Sequence, residues 1–188
     1  VEAGRAAFVV HDDFLDEVAP LVEWTRLVGH PVVVTPMSAI PPAGGSATAA
    51  EIKAYLQGPY DEPAGLTWIV LVGDHEQIPT LRGVYESAHC DPCFAKLEGA
   101  DHRLDAAVSR ISAQTGEQVT VQVDKILGYE RYPDTGSAAA WYGGAFGIGG
   151  DDYGGGAYDW ERMDWLRVDL VEPAYLYTEF TQLYHSPT

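Results

Sequence analysis

Residues 66–74 read LTWIVLVGD and contain the clearest strand signal in the chain. The run from Leu66 to Val72 is almost continuously apolar, and it ends abruptly at Gly73-Asp74. A short apolar run of this kind is typical of a strand that is buried on both faces of a parallel sheet. The sequence therefore predicts a central strand here, with Asp74 at its carboxyl end.

Strand and helix signals alternate along the chain on either side of this strand. Apolar runs mark the strands, helical spacing of apolar residues marks the helices, and segments rich in Gly and Pro separate them. The predicted strands are 6–10, 31–35, 66–72, 106–111, 141–148 and 176–184, and the predicted helices are 14–28, 47–57, 115–132 and 158–171. This order predicts the α/β class, with an open, mostly parallel sheet and helices on both of its faces.

The ends of two helices carry specific signals. Asp12 or Asp13 is expected to cap the helix 14–28, and Gly29 is expected to stop it. Thr115 is expected to cap the helix that follows it.

Functional groups of an open parallel sheet sit on the loops beyond the carboxyl ends of its strands. Three predicted loops with carboxylates qualify: Asp12-Asp13, 73–78 and 149–156. The loops 41–46 and 75–105 are also rich in turn-forming residues.

The charge balance narrows the classes of function. The chain has 188 residues, with 11 Lys and Arg against 28 Asp and Glu, and a formal net charge of −17. A surface this acidic disfavours nucleic acid and anionic membranes, and it is compatible with cation binding. No stretch approaches the roughly 20 apolar residues of a membrane-spanning helix.

The two cysteines, Cys90 and Cys93, form a C-x-x-C spacing within a predicted loop. No second cysteine pair completes a zinc site, and the flanking sequence is not the strand-to-helix context of a redox motif. The favoured alternatives are two incidental thiols, or a local disulfide if the protein is secreted; a metal or redox role is the less favoured one.

Four blocks, taken in order, resemble the gingipain-like cysteine peptidases. Residues 68–79, 90–99, 101–113 and 123–131 resemble the family patterns VLLVGDHxxIP, SDxxYAxLxG, DxxxDVxVGRxSA and VDKxLxYER. The resemblance implies a caspase-like fold built on a flavodoxin-like layer. It also implies a partial domain: 1–188 is expected to be a single α/β subdomain, the first half of a two-subdomain peptidase domain whose second half is absent.

The same resemblance implies peptide hydrolysis by a Cys–His dyad that lies in the second subdomain. Neither the family's GHG motif nor its cysteine motif occurs in these 188 residues, and no Gly flanks His185. We therefore expect this chain to be inactive alone. Its expected partners are the missing C-terminal catalytic subdomain and a protein or peptide substrate, and the parent is expected to be secreted or at the cell surface. The alternative is a non-catalytic calcium-binding or interaction module of a secreted surface protein.

The resemblance implies a calcium site. Asp74, Asp101 and Asp105 match carboxylate ligands, while Glu98 and Arg103 match positions that supply backbone carbonyls. Calcium takes six to eight oxygen ligands, and carboxylates on loops can converge on one ion. The alternative is that these aspartates serve only as turn caps.

Two further acids match family site positions. Asp152, or its neighbour Asp151, matches the acid that orients the catalytic histidine, and the alternative is a solvated loop acid. Asp159 matches the acid at the base of the specificity pocket of arginine-selective members, where it would bind a guanidinium bidentately. The alternative for Asp159 is an acid favoured simply because it begins a helix.

Overall fold

The computed structural model describes residues 4–41, 47–174, 177 and 179–185. Most of the predicted loop 41–46 and the start of the predicted strand 176–184 lie outside the described residues. The chain divides into two compact units, 1–131 and 132–188. That residues 1–188 form one subdomain of a two-subdomain peptidase domain stays a prediction. None of the described helices is long and apolar enough to cross a membrane.

The first unit is built on a four-stranded parallel sheet with the strand order β2-β1-β3-β4. Central β3 is the strand predicted at 66–72, and it pairs with β1 on one side and β4 on the other. The strands are β1 Arg5–Val10, β2 Val32–Pro36, β3 Leu66–Val72 and β4 Ala107–Ile111, and the helices are α1 Leu15–Leu27, α2 Ala49–Asp61 and α3 Gly116–Arg131. The predicted α/β class is confirmed.

The sheet carries one apolar core on each face. Successive side chains of a strand point to opposite faces, so Val9 joins the core under α2 while Phe8 joins the core under α1 and α3. Helix α2 contributes Ile52 and Leu56 to the first core, and both side chains are fully buried. The prediction of helices on both faces is therefore confirmed for this unit.

Helix α1 ends as predicted but does not begin as predicted. Gly29 adopts φ +101°, its N–H donates to Arg26 O at 3.0 Å, and the N–H of His30 donates to Thr25 O at 3.2 Å. These two bonds form a Schellman motif, which needs a left-handed residue after the last helical turn. The prediction that Asp12 or Asp13 caps the helix is wrong.

A short 3₁₀ turn, Asp12–Phe14, precedes α1 instead. The Nδ1 atom of His11 accepts the N–H of Asp13 at 3.4 Å. The carboxylate of Asp12 turns away to accept the backbone N–H of Ser38 at 3.0 Å and the Ser38 hydroxyl. A tertiary partner therefore outcompetes the local helix end for this carboxylate.

The second unit contains a parallel pair and a small hairpin. Strand β5 pairs in parallel with β8, and β6 pairs with β7 around Gly155-Gly156, whose φ angles of +56° and +92° suit a two-residue hairpin turn. Its elements are a 3₁₀ helix Gly136–Gly143, β5 Gly144–Gly149, β6 Tyr153–Gly154, β7 Ala157–Tyr158, α4 Asp159–Trp165, a π-helical continuation Leu166–Val171, and β8 Glu179–Tyr184.

Two segments of this unit have a different secondary structure from the one predicted. The start of the predicted strand 141–148 is helical, and the predicted loop 149–156 contains β6.

Helix α4 lies close against β5, since a Cβ on Gly149 would stand 2.5 Å from the Trp160 Cα. Only glycine permits this approach.

Candidate functional site

Polar loop residues of several connections meet at the carboxyl edge of the first unit's sheet. Because β1 to β4 are parallel, the segments that follow them emerge at one edge. This carboxyl edge includes His11 and Asp12 after β1, Ser38 after β2, and Asp74 and His75 after β3. The residues after β4 add Ser112 and Gln114.

Asp74 is held at this edge by the backbone and by four side-chain contacts. Its N–H donates to Ala113 O at 2.9 Å, which ties the end of β3 to the segment after β4. Its Oδ1 accepts the N–H of His75 at 2.7 Å and the hydroxyl of Ser112 at 3.3 Å, and it lies 3.2 Å from Nδ1 of His75. Its Oδ2 accepts the Nε2–H of Gln114 at 3.0 Å.

These donors keep Asp74 ionised. The His75 N–H first, and then the side chains of Gln114 and His75, hold the pKa of the Asp74 carboxyl well below its usual range. Gly73 allows the turn, since it adopts φ +140° and a Cβ there would lie 2.9 Å from the Gln77 Cβ. The result is a fixed, accessible negative charge at the end of the central strand.

Arg110 connects this turn to the next loop. Its side chain is only 11% exposed, and its Nε and Nη2 donate to the two carboxylate oxygens of Asp91, each at 2.7 Å. Its Nη1 donates to Gly73 O at 2.8 Å and to Ile78 O at 3.1 Å. A planar guanidinium is suited to bidentate binding of this kind. We call Asp91, Arg110 and the segment 73–78 the arginine clamp.

A hairpin-like loop, 81–90, stands beside the clamp. Arg82 and His89 form a β-bridge, His89 is hydrogen-bonded to Thr80, and its ring lies edge-on to that of His75 with centroids 5.8 Å apart. Cys90 and Cys93 are joined in a disulfide at the base of this loop. Of the two favoured alternatives, the structure contains the local disulfide.

A cleft of about 370 Å³ opens at the same edge. His11, Asp12 and Met37 line one part of it, and Gln77 and Pro79 line another. The hydroxyl of Ser38 lowers the pKa of Asp12, so this carboxylate also remains charged. The cleft therefore combines an apolar wall with an acidic rim.

The structure does not bring the predicted calcium ligands together. Asp74 follows β3 at the carboxyl edge, whereas Asp105 precedes β4 and lies at the amino edge, where Ala107 pairs with Trp68. At ~3.3 Å per residue, β4 alone separates the two edges by roughly 13 Å. Calcium–oxygen distances are about 2.4 Å, so one ion cannot bind both carboxylates. A single cage made of all five predicted residues does not fit.

The remaining predicted ligands share the loop 97–105. The Oδ2 atom of Asp105 accepts the N–H groups of Leu97 and Glu98 at 2.7 and 2.8 Å, and these bonds lower the pKa of the carboxyl. The Oδ1 atom of Asp101 accepts the N–H of Arg103 at 2.8 Å. Across the described residues, no three or more His, Cys, Asp or Glu side chains are grouped so that they could hold a metal ion. Calcium binding by this loop stays a prediction.

The two other predicted acids lie in the second unit. The carbonyl of Asp152 accepts the N–H of Asp159 at 3.0 Å, and the Asp152 side chain is exposed. Asp151 lies 3.6 Å from Nδ1 of His185. Asp159 is the first residue of α4, is 47% exposed, and contacts Nη1 of Arg162 at 3.3 Å. The roles predicted for Asp152 and Asp159 stay predictions.

Arg110 is not among the sequence-predicted site residues, although a signal was present. Arg110 is a charged residue inside the short strand AVSRI, and a strand of a doubly covered sheet leaves few exposed positions for a cation. Such a residue requires a buried acceptor. Asp91, within the same resemblance block as the cysteines, is that acceptor.

Comparisons with known proteins agree with this geometry. Residues 2–185 match the sequence model of Peptidase family C25. Gingipain R2 of Porphyromonas gingivalis is 26% identical over 131 residues, which are 69% of this chain but only 17% of that protein.

Solved structures show the same fold. The crystal structure of the Arg-specific cysteine proteinase gingipain R superposes with a TM-score of 0.81 at 24% identity, over 100% of this chain and 43% of that one. Dimeric latent PorU from Porphyromonas gingivalis superposes with a TM-score of 0.55 at 20% identity, over 66% of this chain and 15% of that one.

The order of the sequence blocks, the parallel sheet and the match over residues 2–185 lead to one conclusion. This chain belongs to Peptidase family C25, and it spans part of the length of the relatives that it matches.

Proposed function

We propose that this chain is the amino-terminal part of the catalytic domain of a secreted cysteine endopeptidase. It supplies a rigid sheet and part of the substrate cleft, while the catalytic cysteine and histidine come from the remainder of the domain. The observation that carries this proposal is the match of residues 2–185 to Peptidase family C25.

The cysteine chemistry of the chain supports inactivity in isolation. A cysteine peptidase needs a thiolate nucleophile. The chain contains two cysteines, and both are used in the disulfide Cys90–Cys93. A disulfide in a domain of this kind also favours an oxidising, extracellular compartment for the parent.

The test of this function compares two forms of the protein. The chain alone and the full product of its gene are assayed on the same fluorogenic peptides under the same conditions. We expect hydrolysis only from the full product, and we expect it to be blocked by a thiol-alkylating reagent. Hydrolysis by the chain alone, or an inert full product that carries both dyad motifs, would overturn the proposal.

Asp159 is proposed as a specificity residue in the complete domain. The support is the sequence resemblance, together with the contact of its carboxylate with one guanidinium, that of Arg162, at 3.3 Å. In the full product, Asp159→Asn should lower kcat/KM for Arg peptides by about ten-fold or more relative to neutral peptides, as a bidentate pair is lost. Asp169→Asn, on the exposed side of the following helical turns, is the control. Equal rates for Arg, Lys and neutral substrates in the native protein would remove the idea.

Asp152 is proposed to orient the histidine supplied by the remainder of the domain, as the third member of such arrangements does. Its exposed carboxylate, on the loop before β6, is free to meet a partner side chain. In the full product Asp152→Asn should lower kcat with little change in KM, whereas Asp151→Asn should not. The reverse result would assign the role to Asp151.

Calcium binding is proposed only for the loop 97–105. The support is the sequence resemblance and the concentration of Glu98, Asp101 and Asp105 within eight residues. Calcium at millimolar concentration should raise the melting temperature of the chain relative to chelator, and Asp101→Asn should remove that rise while Asp74→Asn keeps it. An unchanged melting temperature would end the calcium proposal.

A non-catalytic interaction module is the second candidate. The observation that supports it is that Cys90 and Cys93, the two cysteines of the chain, are joined in a disulfide, so the chain offers no free thiol for catalysis. A gene product without a cysteine and a histidine beyond this region, and without hydrolysis of any peptide, would select this candidate.

A further inference from the structure

The Cys90–Cys93 disulfide encloses a residue of the arginine clamp. Asp91 lies between the two cysteines, and it begins the 3₁₀ helix Asp91–Ala95. Both oxygens of its carboxylate are bound by Arg110. The position of this carboxylate therefore depends on the backbone that the disulfide closes.

Apolar packing anchors the segment at its two ends but not between them. Phe94 and Ala95, directly after Cys93, are fully buried, and Leu81 packs partly buried against the same core. Between these anchors the loop 81–90 projects into solvent, and Val84 and Tyr85 are 102% and 81% exposed. Without the disulfide, Cys90 would be held by its N–H bond to Leu81 O at 2.9 Å, by the bond of the Cys93 N–H to its carbonyl at 3.2 Å, and by the neighbouring bridge between Arg82 and His89.

The arginine clamp connects the disulfide segment to the carboxyl edge. The Nη1 atom of Arg110 donates to the carbonyls of Gly73 and Ile78, and the turn between these two residues contains Asp74 and His75. His75 also contacts His89, which precedes Cys90. Two separate contacts therefore join the disulfide loop to this turn.

We infer that the Cys90–Cys93 disulfide is a redox-sensitive lock on the arginine clamp. When it is oxidised, Asp91 is fixed against Arg110 and the turn 73–78 is closed. When it is reduced, the 3₁₀ helix loosens at its first residue, the Asp91–Arg110 pair weakens, and the turn opens more often. This device is separate from peptide hydrolysis, and its test measures no hydrolysis.

The chemical step is thiol–disulfide exchange with a dithiol. A thiolate of the dithiol attacks one sulfur of the pair, the S–S bond breaks, and the departing cysteine sulfur takes a proton. The second thiol of the reductant then displaces the mixed disulfide. Two electrons and two protons pass to Cys90 and Cys93, and the dithiol becomes a cyclic disulfide.

The experiment is hydrogen–deuterium exchange of the whole chain with and without dithiothreitol. Because the chain contains two cysteines, any response to the dithiol comes from this pair. Alkylation followed by mass measurement confirms that two thiols have formed. The amides of Gln77 and Ile78, which bond to Asp74 O at 3.1 and 2.8 Å, report on the turn.

Reduction should speed exchange in 73–81 and 88–95 by about ten-fold or more, since weakening a charge-assisted hydrogen bond shifts the local opening equilibrium by at least that factor. Peptides from α1 should not change. The double variant Cys90→Ser, Cys93→Ser should exchange rapidly with or without the dithiol. Asp91→Asn should open the turn while the disulfide is intact.

Three results would overturn the inference. The first is complete reduction with unchanged exchange in 73–81, which would make the disulfide a purely local link. The second is a disulfide that the dithiol does not reduce under native conditions. The third is a chain purified without reductant whose two thiols are both free.

Discussion

Replacement of Arg110 by Lys tests the central interaction of the carboxyl edge. The native guanidinium makes two bonds of 2.7 Å to Asp91 and three bonds, of 2.8, 3.3 and 3.1 Å, to the carbonyls of Gly73, Asp74 and Ile78. A lysine keeps the charge but presents a single ammonium, which cannot span the carboxylate and these carbonyls.

The expected loss follows from these contacts. A hydrogen bond to a charged group contributes about 1.5–3 kcal/mol, and the lysine recovers part of the set. Arg110→Lys should therefore lower the free energy of unfolding of the first unit by about 2–3 kcal/mol. Arg110→Ala leaves the Asp91 carboxylate, 27% exposed, without its partner and should cost about 3–5 kcal/mol.

The assay is urea unfolding of the full chain at pH 7, monitored by hydrogen exchange of peptides from β1 and β3. Tryptophan fluorescence would not isolate the first unit, because tryptophans occur in both units. Asp91→Asn closes a double-mutant cycle with Arg110→Lys, and the coupling should be about 1–3 kcal/mol. Arg26→Lys, on the exposed last turn of α1, is the matched control. An Arg110→Lys protein within about 0.5 kcal/mol of the native one would refute the clamp.

Three further outcomes follow from the described contacts. The folded pKa of Asp74 lies below the unfolded value of about 3.9, so its contribution to stability is present above that pH and is lost as the pH falls. Asp74→Asn should therefore flatten the acid limb of the stability curve measured by urea unfolding. Gly29→Ala should destabilise by about 1 kcal/mol in thermal unfolding, because φ is +101°, while Gly128→Ala, inside α3 with open space around it, should stabilise by up to about 1 kcal/mol. Thr48→Ala should cost about 1 kcal/mol in urea unfolding, since it removes the capping box with Glu51 at the start of α2.

The sheet could be predicted because its signals are local and repeated. The run Leu66–Val72 is apolar on both faces, and the alternation of strands and helices around it allows parallel pairing with helices on both sides. Gly29 could be predicted as a helix stop because the chemistry of a C-terminal turn is contained within a few residues.

Residues whose partners are distant in sequence were harder to predict. Asp12 has the chemistry of a helix cap, but Ser38 lies 26 residues away and binds the carboxylate first. Arg110 lies 19 residues from Asp91 and 32 from Ile78, so its strand context indicates that it needs an acceptor but not which residues supply it. Sequence spacing alone does not report which loops meet.

The structure separates Asp74 from Asp105 for a reason that the predicted fold already contained. In a parallel sheet the residue after one strand and the residue before the next must lie at opposite edges, because the connection has to return the chain to the starting edge. Asp74 follows β3 and Asp105 precedes β4, so parallel pairing of these strands separates them by the length of a strand. A ligand set taken from a resemblance therefore has to be checked against the strand directions of the same sequence. By that check Asp74 groups with Ser112 and Gln114, which follow β4, and this is the grouping in the structure.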